Sequence, residues 1–506
     1  MDGRTCHLNM VSCLWSGGRQ EPGGTIRKCR FRGGGHTAVQ CGTRPRMIKK
    51  RVSIHTLGCR LNHAESALLA DQLREAGYEV VPWGESADIG VVHTCTVTRE
   101  ADAKSRQMIR KFLRQNPGAS VAALGCYAQR SADALRRIEG VRLILGNADK
   151  MDLARHLSNL ENVAGGEPVT FRSTPKREVF RLPWTNSGDP VDRRADLKVQ
   201  DGCDAMCAFC VIPFARGRSR SRSAGDAAAE AASLARRGAR ELVLTGVNLG
   251  EYYDGEMDLS GLLDLLARRV PEARLRISSI EPTTVTRALI ERMADPNHPL
   301  VPFLHVPLQS GSDRMLAAMK RGHSATLFLE LLRAASEKLP FAGFGTDIMA
   351  GFPGETDEDF EETLAVLEAS PVDYAHVFPY SERNGTAASR MAVEPVPPDT
   401  VARRVDILLN FSRKRRRQFM ERMAGAECCV LFETLESGHW VGYAENYLRV
   451  AVPDSGRSLR NRFGLVRVQC PGESWAQGML LEVTETWNKP ILSACTAPEG
   501  ITRSNA

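Results

Sequence analysis

The sequence predicts an α/β fold in three parts: a doubly wound amino-terminal domain, a partial (β/α)6 barrel and a small carboxy-terminal β-barrel. Between Arg51 and Gln129, three strand patterns, the first of them alternating, each run into a Gly-Cys or Thr-Cys turn, with helical stretches between them. After Arg194, six strand-and-helix units follow one another. From Cys428 the helical period gives way to short strands separated by glycine-rich turns.

A chain of 506 residues exceeds one ordinary domain. Its 42% hydrophobic and 25% charged residues are those of a globular protein. No apolar run approaches the roughly 20 residues that span a bilayer, so no membrane partner is expected. The 14 cysteines of so long a chain do not make a disulfide scaffold, and metal-bound thiols in a reducing, cytoplasmic setting suit them better. Residues 1 to 46 carry six of the seven net positive charges, so contact with RNA has to come from local patches elsewhere.

Residues 1 to 46 mix Gly, Arg and Ser with Cys6, Cys13, Cys29 and Cys41 and show no hydrophobic period. The expectation is a disordered or spurious extension ahead of Met47, and the alternative is a basic metal-binding arm. In residues 47 to 160, Val52 to Leu57 ends in Gly58-Cys59, Asp88 to His93 in Thr94-Cys95, and Ser120 to Leu124 in Gly125-Cys126. Helices are expected over Glu65 to Ala76 and Lys104 to Gln115. In doubly wound sheets ligands gather beyond the carboxyl ends of the strands, so these three thiols are expected to converge. Three unrelated core cysteines are the alternative, because free cysteine is often buried. Residues 161 to 194, with Gly165-Gly166 and four prolines, read as a linker.

Cys203, Cys207 and Cys210 then place three thiols within eight residues, behind Asp201-Gly202. Three thiolates on one short loop hold three corners of a [4Fe-4S] cluster and leave the fourth iron open. A structural zinc site would need a fourth ligand nearby, yet the next histidine is His298 and the next cysteine Cys428. A disulfide with a spare thiol belongs to secreted proteins. Inert buried cysteines are common singly, not as three behind a glycine.

The spacing Cys203-x3-Cys207-x2-Cys210 resembles the signature of the radical S-adenosylmethionine (SAM) enzymes, whose open iron is chelated by SAM. Gly202 before it and Ile212-Pro213-Phe214-Ala215-Arg216-Gly217 after it resemble the methylthiotransferases of that class. Thr56 to Asn62, Thr94 to Thr98 and Leu124 to Gln129 are similar to the amino-terminal domain of the same family. There the resemblance implies that Cys59, Cys95 and Cys126 hold an auxiliary [4Fe-4S] cluster carrying the sulfur to be transferred.

In residues 195 to 390, strands are expected at Leu197 to Gln200, Glu241 to Thr245, Leu275 to Ser279, Phe303 to Leu308, Gly345 to Met349 and Tyr374 to Phe378. Six units fall two short of a closed eight-fold barrel, so the barrel is expected to be open, with its chemistry at the carboxyl ends of the strands. By resemblance, Thr245, Gly246 and Asn248 meet the amino group of the SAM methionine. Ser279, Glu281, Gln309, Ile348 and Gly351 line its ribose and adenine.

Residues 391 to 421 hold a proline-rich stop and the start of a helix from about Thr400 to Met423. On it Arg413, Arg415 and Arg416 are candidate phosphate contacts, with a solvated charged face as the alternative. The five strands of residues 422 to 486 resemble the TRAM domain of RNA-modifying enzymes. Arg449, Arg460 and Arg462 are its candidate RNA contacts, and Trp440, Tyr443 and Tyr447 either stack on bases or fill the core. Cys428 and Cys429 read as packing residues, and residues 487 to 506 as a tail.

The resemblance spans about residues 47 to 486. It implies a tRNA-modifying enzyme with two [4Fe-4S] clusters, one SAM giving its methyl group and a second cleaved to a 5′-deoxyadenosyl radical. Both clusters are expected to face one cavity closed to water, capped by the amino-terminal domain and the TRAM barrel. His376 to Thr386 looks most like the MtaB branch, which acts on N6-threonylcarbamoyladenosine at position 37 of tRNA. The MiaB branch, acting on N6-isopentenyladenosine, is the nearest alternative, and the RimO branch, acting on a ribosomal-protein aspartate, matches less well. The implied partners are tRNA and an electron donor of the flavodoxin or ferredoxin type, with the sulfur source open. A rival of another class is an iron-sulfur RNA-binding redox sensor, which would form no deoxyadenosine.

Overall fold

The computed structural model describes residues 49–160, 166–185, 193–484 and Trp487. All of these beyond Lys49 belong to one compact unit starting at Lys50. The expectations for residues 1 to 46, and for the tail apart from Trp487, lie outside the described residues.

The first sheet has six parallel strands: β1 (Arg51–Thr56), β2 (Glu79–Val81), β3 (Ile89–Thr94), β4 (Ser120–Gly125), β5 (Val141–Leu145) and β6 (Val169–Phe171), in the order β2-β1-β3-β4-β5-β6. Every residue of β3 is buried, as parallel strands covered on both faces require. Its alternation divides the core. Val91 packs with Leu69 and Leu73 of the helix Arg60–Glu75. Val92 packs with Ile109 and Phe112 of the helix Arg99–Gln115 on the opposite face.

Three local readings change, the first being the first helix, which starts at Arg60 and not Glu65. The second helix starts at Arg99, not Lys104, because the Thr98 hydroxyl caps it by accepting from the Ala101 amide at 3.1 Å, with Glu100 and Asp102 in the first turn. The expected linker contributes β6, whose three residues pair with β5 as an edge strand.

The second assembly has β7 (Arg194–Lys198), β8 (Glu241–Thr245), β9 (Arg274–Ile277), β10 (Phe303–His305), β11 (Gly343–Ala350) and β12 (Tyr374–Pro379). Two parallel three-stranded sheets, β9-β8-β7 and β10-β11-β12, are joined by the bridges Leu275 to Leu300 and Ser279 to His305. Among the described residues β7 and β12 do not pair, so this six-stranded barrel is open, as expected.

The third assembly is a closed barrel of β13 (Glu427–Glu436), β14 (His439–Tyr443), β15 (Arg449–Pro453), β16 (Phe463–Pro471) and β17 (Ala476–Thr484). It packs on the amino-terminal ends of the barrel strands, so it closes the end opposite the cysteines and does not cap them. Two buried arginines of β9 make this seam. Arg274 donates to the carbonyls of Cys429 and Tyr443 at 3.0 and 2.8 Å, and Arg276 to those of Glu445 and Ala444 at 2.9 and 3.2 Å. Both arginines pair with the buried Glu241. Their charges hold the Glu241 carboxyl well below its usual range against the upward push of burial.

Candidate active site

The strand order reverses between β1 and β3, and a doubly wound sheet opens its crevice at such a point. Cys59 caps the helix after β1, Cys95 follows β3 directly and Cys126 follows β4 directly. Gly58, at φ +97°, lets the first two turns close up: a Cβ there would sit 2.8 Å from the Cys95 sulfur. The Asn62 side-chain amide ties both turns together, donating to the Leu57 carbonyl at 2.7 Å and the Thr94 carbonyl at 3.2 Å. The Asn147 amide donates to the Cys126 sulfur at 3.5 Å and to the Ala215 carbonyl at 2.8 Å. Arg216 donates to the Asn62 carbonyl oxygen at 2.6 Å, and its charge acts on both Cys59 and Cys126. Burial pushes the Cys95 thiol up to about 11.

The second cysteine group lies on the loop after β7. Its backbone is anchored by Cys203 N to the Gly217 carbonyl at 3.2 Å and Ala208 N to the Met319 carbonyl at 2.8 Å. Each sulfur receives one N–H. The Ala205 amide donates to Cys203 and the Ile212 amide to Cys210, both at 3.4 Å, and the Arg321 guanidinium donates to Cys207 at 3.3 Å. Burial pushes the Cys203 and Cys210 thiols up to about 12, so binding a metal at neutral pH must displace their protons. Three convergent sulfurs with N–H donors and a nearby guanidinium match the donor set of an anionic iron-sulfur cluster in both groups.

A buried ion network joins the two groups. Glu65 accepts from Lys150 and Lys198 at 2.6 Å each and from Arg216. Lys198, Arg216 and Arg220 converge on Asp201, at 2.7, 2.9 and 2.8 Å. Lys150 also donates to the Asn147 oxygen at 2.7 Å. These cations hold the Glu65 and Asp201 carboxyls far below their usual range, against the upward push of burial. Nothing in the spacing of Glu65, Lys150 or Lys198 marks them, whereas Asp201 and Arg216 flank the cysteine motif in the sequence.

The residues expected to hold SAM divide in two. Thr245, Asn248, Ser279, Glu281 and Gln309 lie at or just beyond the carboxyl ends of β8 to β10. The buried Asn248 Oδ1 and Ser278 Oγ have no hydrogen-bond partner among the described residues, so both stay available to a ligand. Glu281 pairs with Arg321, the donor to Cys207. The space above Gly246 is filled by Gln200, whose Oε1 accepts from the Val247 and Asn248 amides at 2.8 and 2.9 Å. Ile348 lies on β11 and Gly351 directly follows it. The Ile348 side chain lies in the core between sheet and helices. Gly351 lines a cavity of about 770 Å³ with Pro353, Tyr380, Met391 and Val401.

The candidate RNA contacts are mostly engaged within the chain. Arg415 donates to the carbonyls of Leu367, Glu368 and Ser370 at the carboxyl end of the helix Asp357–Ala369. Arg416 lies over the Tyr374 ring, and Arg449 pairs with Glu436 and lies over Trp475. Arg462 is half-buried, whereas Arg413 and Arg460 are exposed. Tyr443 and Tyr447 stack at 4.7 Å beneath Arg194, at the seam between the barrels. Trp440 is buried in the small barrel with Cys428, and Cys429 packs at the seam with Phe303.

A profile described as the radical SAM superfamily matches residues 197–367, and one described as uncharacterized protein family UPF0004 matches residues 51–146. The threonylcarbamoyladenosine tRNA methylthiotransferase MtaB of Bacillus subtilis is 34% identical over 447 residues, covering 86% of this chain and 97% of that protein. The protein of the same name from Aquifex aeolicus is 36% identical, over 79% of this chain and 96% of its own. The tRNA-2-methylthio-N(6)-dimethylallyladenosine synthase of Chloroherpeton thalassium is 32% identical, over 81% and 92%. With relatives this similar matched over nearly their whole length, and with a cysteine triad in each matched region, the chain belongs to the radical SAM methylthiotransferase family.

Proposed function

We propose that this protein places a methylthio group on C2 of N6-threonylcarbamoyladenosine at position 37 of tRNA. The observation that carries the reading is the pair of three-sulfur sites joined by one buried ion network, in a chain whose relatives in Bacillus subtilis and Aquifex aeolicus bear the name of that reaction. When bound, two [4Fe-4S] clusters and SAM supply a 5′-deoxyadenosyl radical and a methylthio donor. Cys203, Cys207 and Cys210 present three sulfurs to one cluster, and Cys59, Cys95 and Cys126 three to the other. Asn248 and Ser278 offer the polar groups that await SAM, and Arg321 orients Glu281 beside it.

In this reading residues 47 to 160 carry the sulfur-donating site, 195 to 390 the radical site and 422 to 486 an RNA-binding barrel. Arg413, on the helix before it, and Arg460, within it, are exposed candidates for phosphate contact. The reductant is a flavodoxin or ferredoxin, and the setting is the cytoplasm. No helix among the described residues is long and apolar enough to cross a membrane.

Nucleoside mass spectrometry of tRNA from cells with and without the gene tests the reading. Loss of 2-methylthio-N6-threonylcarbamoyladenosine with accumulation of its unthiolated precursor is expected. Loss of the isopentenyl counterpart alone would reassign the substrate, and unchanged tRNA would remove tRNA as the substrate.

A further inference from the structure

The lumen of the partial barrel holds a column of side chains to which the roles above assign nothing. At its base Gly345 leaves room for two rings, since a Cβ there would collide with Tyr374 and with the His305 ring. The Tyr374 hydroxyl meets His305 Nδ1 at 3.1 Å, and His305 Nε2 meets Asp347 Oδ1 at 2.9 Å. One level up, His376 Nδ1 lies 3.4 Å from the same Asp347 oxygen. Tyr374, His376 and Phe378 alternate along β12 and so share the lumen face, with ring centroids 5.2 and 6.5 Å apart. The His376 side chain is 54% exposed and Phe378 45%. Met349, two residues beyond Asp347 on β11, packs with Ala208 and Phe209 of the cysteine loop, so the column leads up to the radical site.

The hydrogen bonds settle which atoms are free. An ionised carboxylate only accepts, so His305 Nε2 carries the proton it gives to Asp347, and its Nδ1 accepts from the Tyr374 hydroxyl. His376 likewise turns its Nδ1–H toward Asp347, which leaves Nε2 as an acceptor facing the open lumen. No described residue donates to Asp347 Oδ2. The same three residues have the composition of a two-histidine, one-carboxylate metal site, their donor atoms lying within 4.8 Å of one another. The contact with Tyr374 fits either use, because a tyrosine hydroxyl donates to His305 Nδ1 or accepts from it.

We propose that His376 Nε2 and Asp347 Oδ2 accept the N–H donors of the ureido group on the substrate adenine while Phe378 stacks on the base, with His305 and Tyr374 as positioning residues. This rests on the proposed function and names the residues that recognise its substrate. A ureido-substituted purine offers adjacent N–H donors and a flat aromatic face, and the column offers two acceptors beside an exposed ring. A dimethylallyl substituent offers only carbon beyond its single N–H and leaves one acceptor unmatched.

The test is binding of anticodon stem-loop RNAs bearing N6-threonylcarbamoyladenosine or plain adenosine at position 37 to the cluster-loaded protein, by fluorescence anisotropy. The wild type is expected to prefer the modified RNA, and His376→Ala to lose about tenfold on that RNA alone, the worth of one well-placed hydrogen bond. His376→Gln, whose amide oxygen still accepts, is expected to recover part of the loss. No wild-type preference, equal loss on both RNAs, or loss of SAM binding by His376→Ala in equilibrium dialysis would each overturn the assignment, the last by giving the column to SAM. A wild type that prefers the modified RNA yet leaves it without a methylthio group would instead overturn the proposed function and leave this recognition site standing.

Discussion

Arg216 grips both oxygens of Glu65 in parallel, at 3.2 and 3.1 Å, with neither side chain more than 1% exposed. Glu65 lies on the helix that Cys59 caps, and Arg216 lies six residues beyond Cys210, so the pair ties one cysteine group to the other. A bidentate bond of this kind sets angle as well as distance.

Removing the carboxylate would leave Arg216, Lys150 and Lys198 crowded in a site closed to water. Glu65→Ala is therefore expected to cost about 3–5 kcal/mol, the penalty for breaking a buried ion pair from one side. Urea unfolding under anaerobic conditions measures it, and an unchanged midpoint would mean that the network does not hold the two regions together.

The two cysteine groups are expected to fail differently. Cys203→Ala should form no deoxyadenosine from SAM under reduction. Cys95→Ala should form it and transfer no methylthio group. Iron analysis of each variant should show the loss of about one cluster's iron, four atoms, per chain. Methylthio product from Cys95→Ala would remove the first group from the reaction.

Arg321 donates to the Cys207 sulfur at 3.3 Å and balances Glu281. Hydrogen bonds and positive charge at a cluster's sulfur favour its reduced form. Arg321→Gln is expected to lower the reduction potential of the cluster held by that loop, as read by a redox titration followed by electron paramagnetic resonance. A potential equal to that of the wild type would show that the bond does not reach a cluster ligand.

His323, two residues further on, is buried and has its pKa lowered to about 4 by burial and by the charge of Arg321. Its folded pKa lies below the ordinary 6.5, so the unfolded chain binds the proton first as pH falls. The native state is thus expected to lose stability between pH 6.5 and 4. The melting temperature of His323→Gln should fall less steeply than that of the wild type across that window, and parallel profiles would contradict the assignment.

Much of the fold was readable because it is local. Short apolar strand patterns ending in Gly-Cys or Thr-Cys announce β1, β3 and β4 and place their cysteines at strand ends whatever the rest of the chain does. Cys203, Cys207 and Cys210 are likewise legible, since three thiols within eight residues share one loop by covalent reach alone. The edge strand β6 was not legible, because three residues among prolines and glycines carry no period and become a strand only when β5 supplies the partner.

By itself, then, the sequence determined the α/β class and where the two cysteine groups stand along the chain, which rest on periodicity and spacing, while the family came from the resemblance of its motifs to known proteins. Only the tertiary structure decided what surrounds the sulfurs. Glu65 meets Lys150, Lys198 and Arg216 across 85, 133 and 151 residues, and His305 meets Tyr374 across 69. It also decided that the small barrel seals the end of the large one opposite the cysteines, through Arg274 and Arg276. Contacts at such separations leave no period in the sequence, because packing brings the partners together only after each element has formed from its own neighbours.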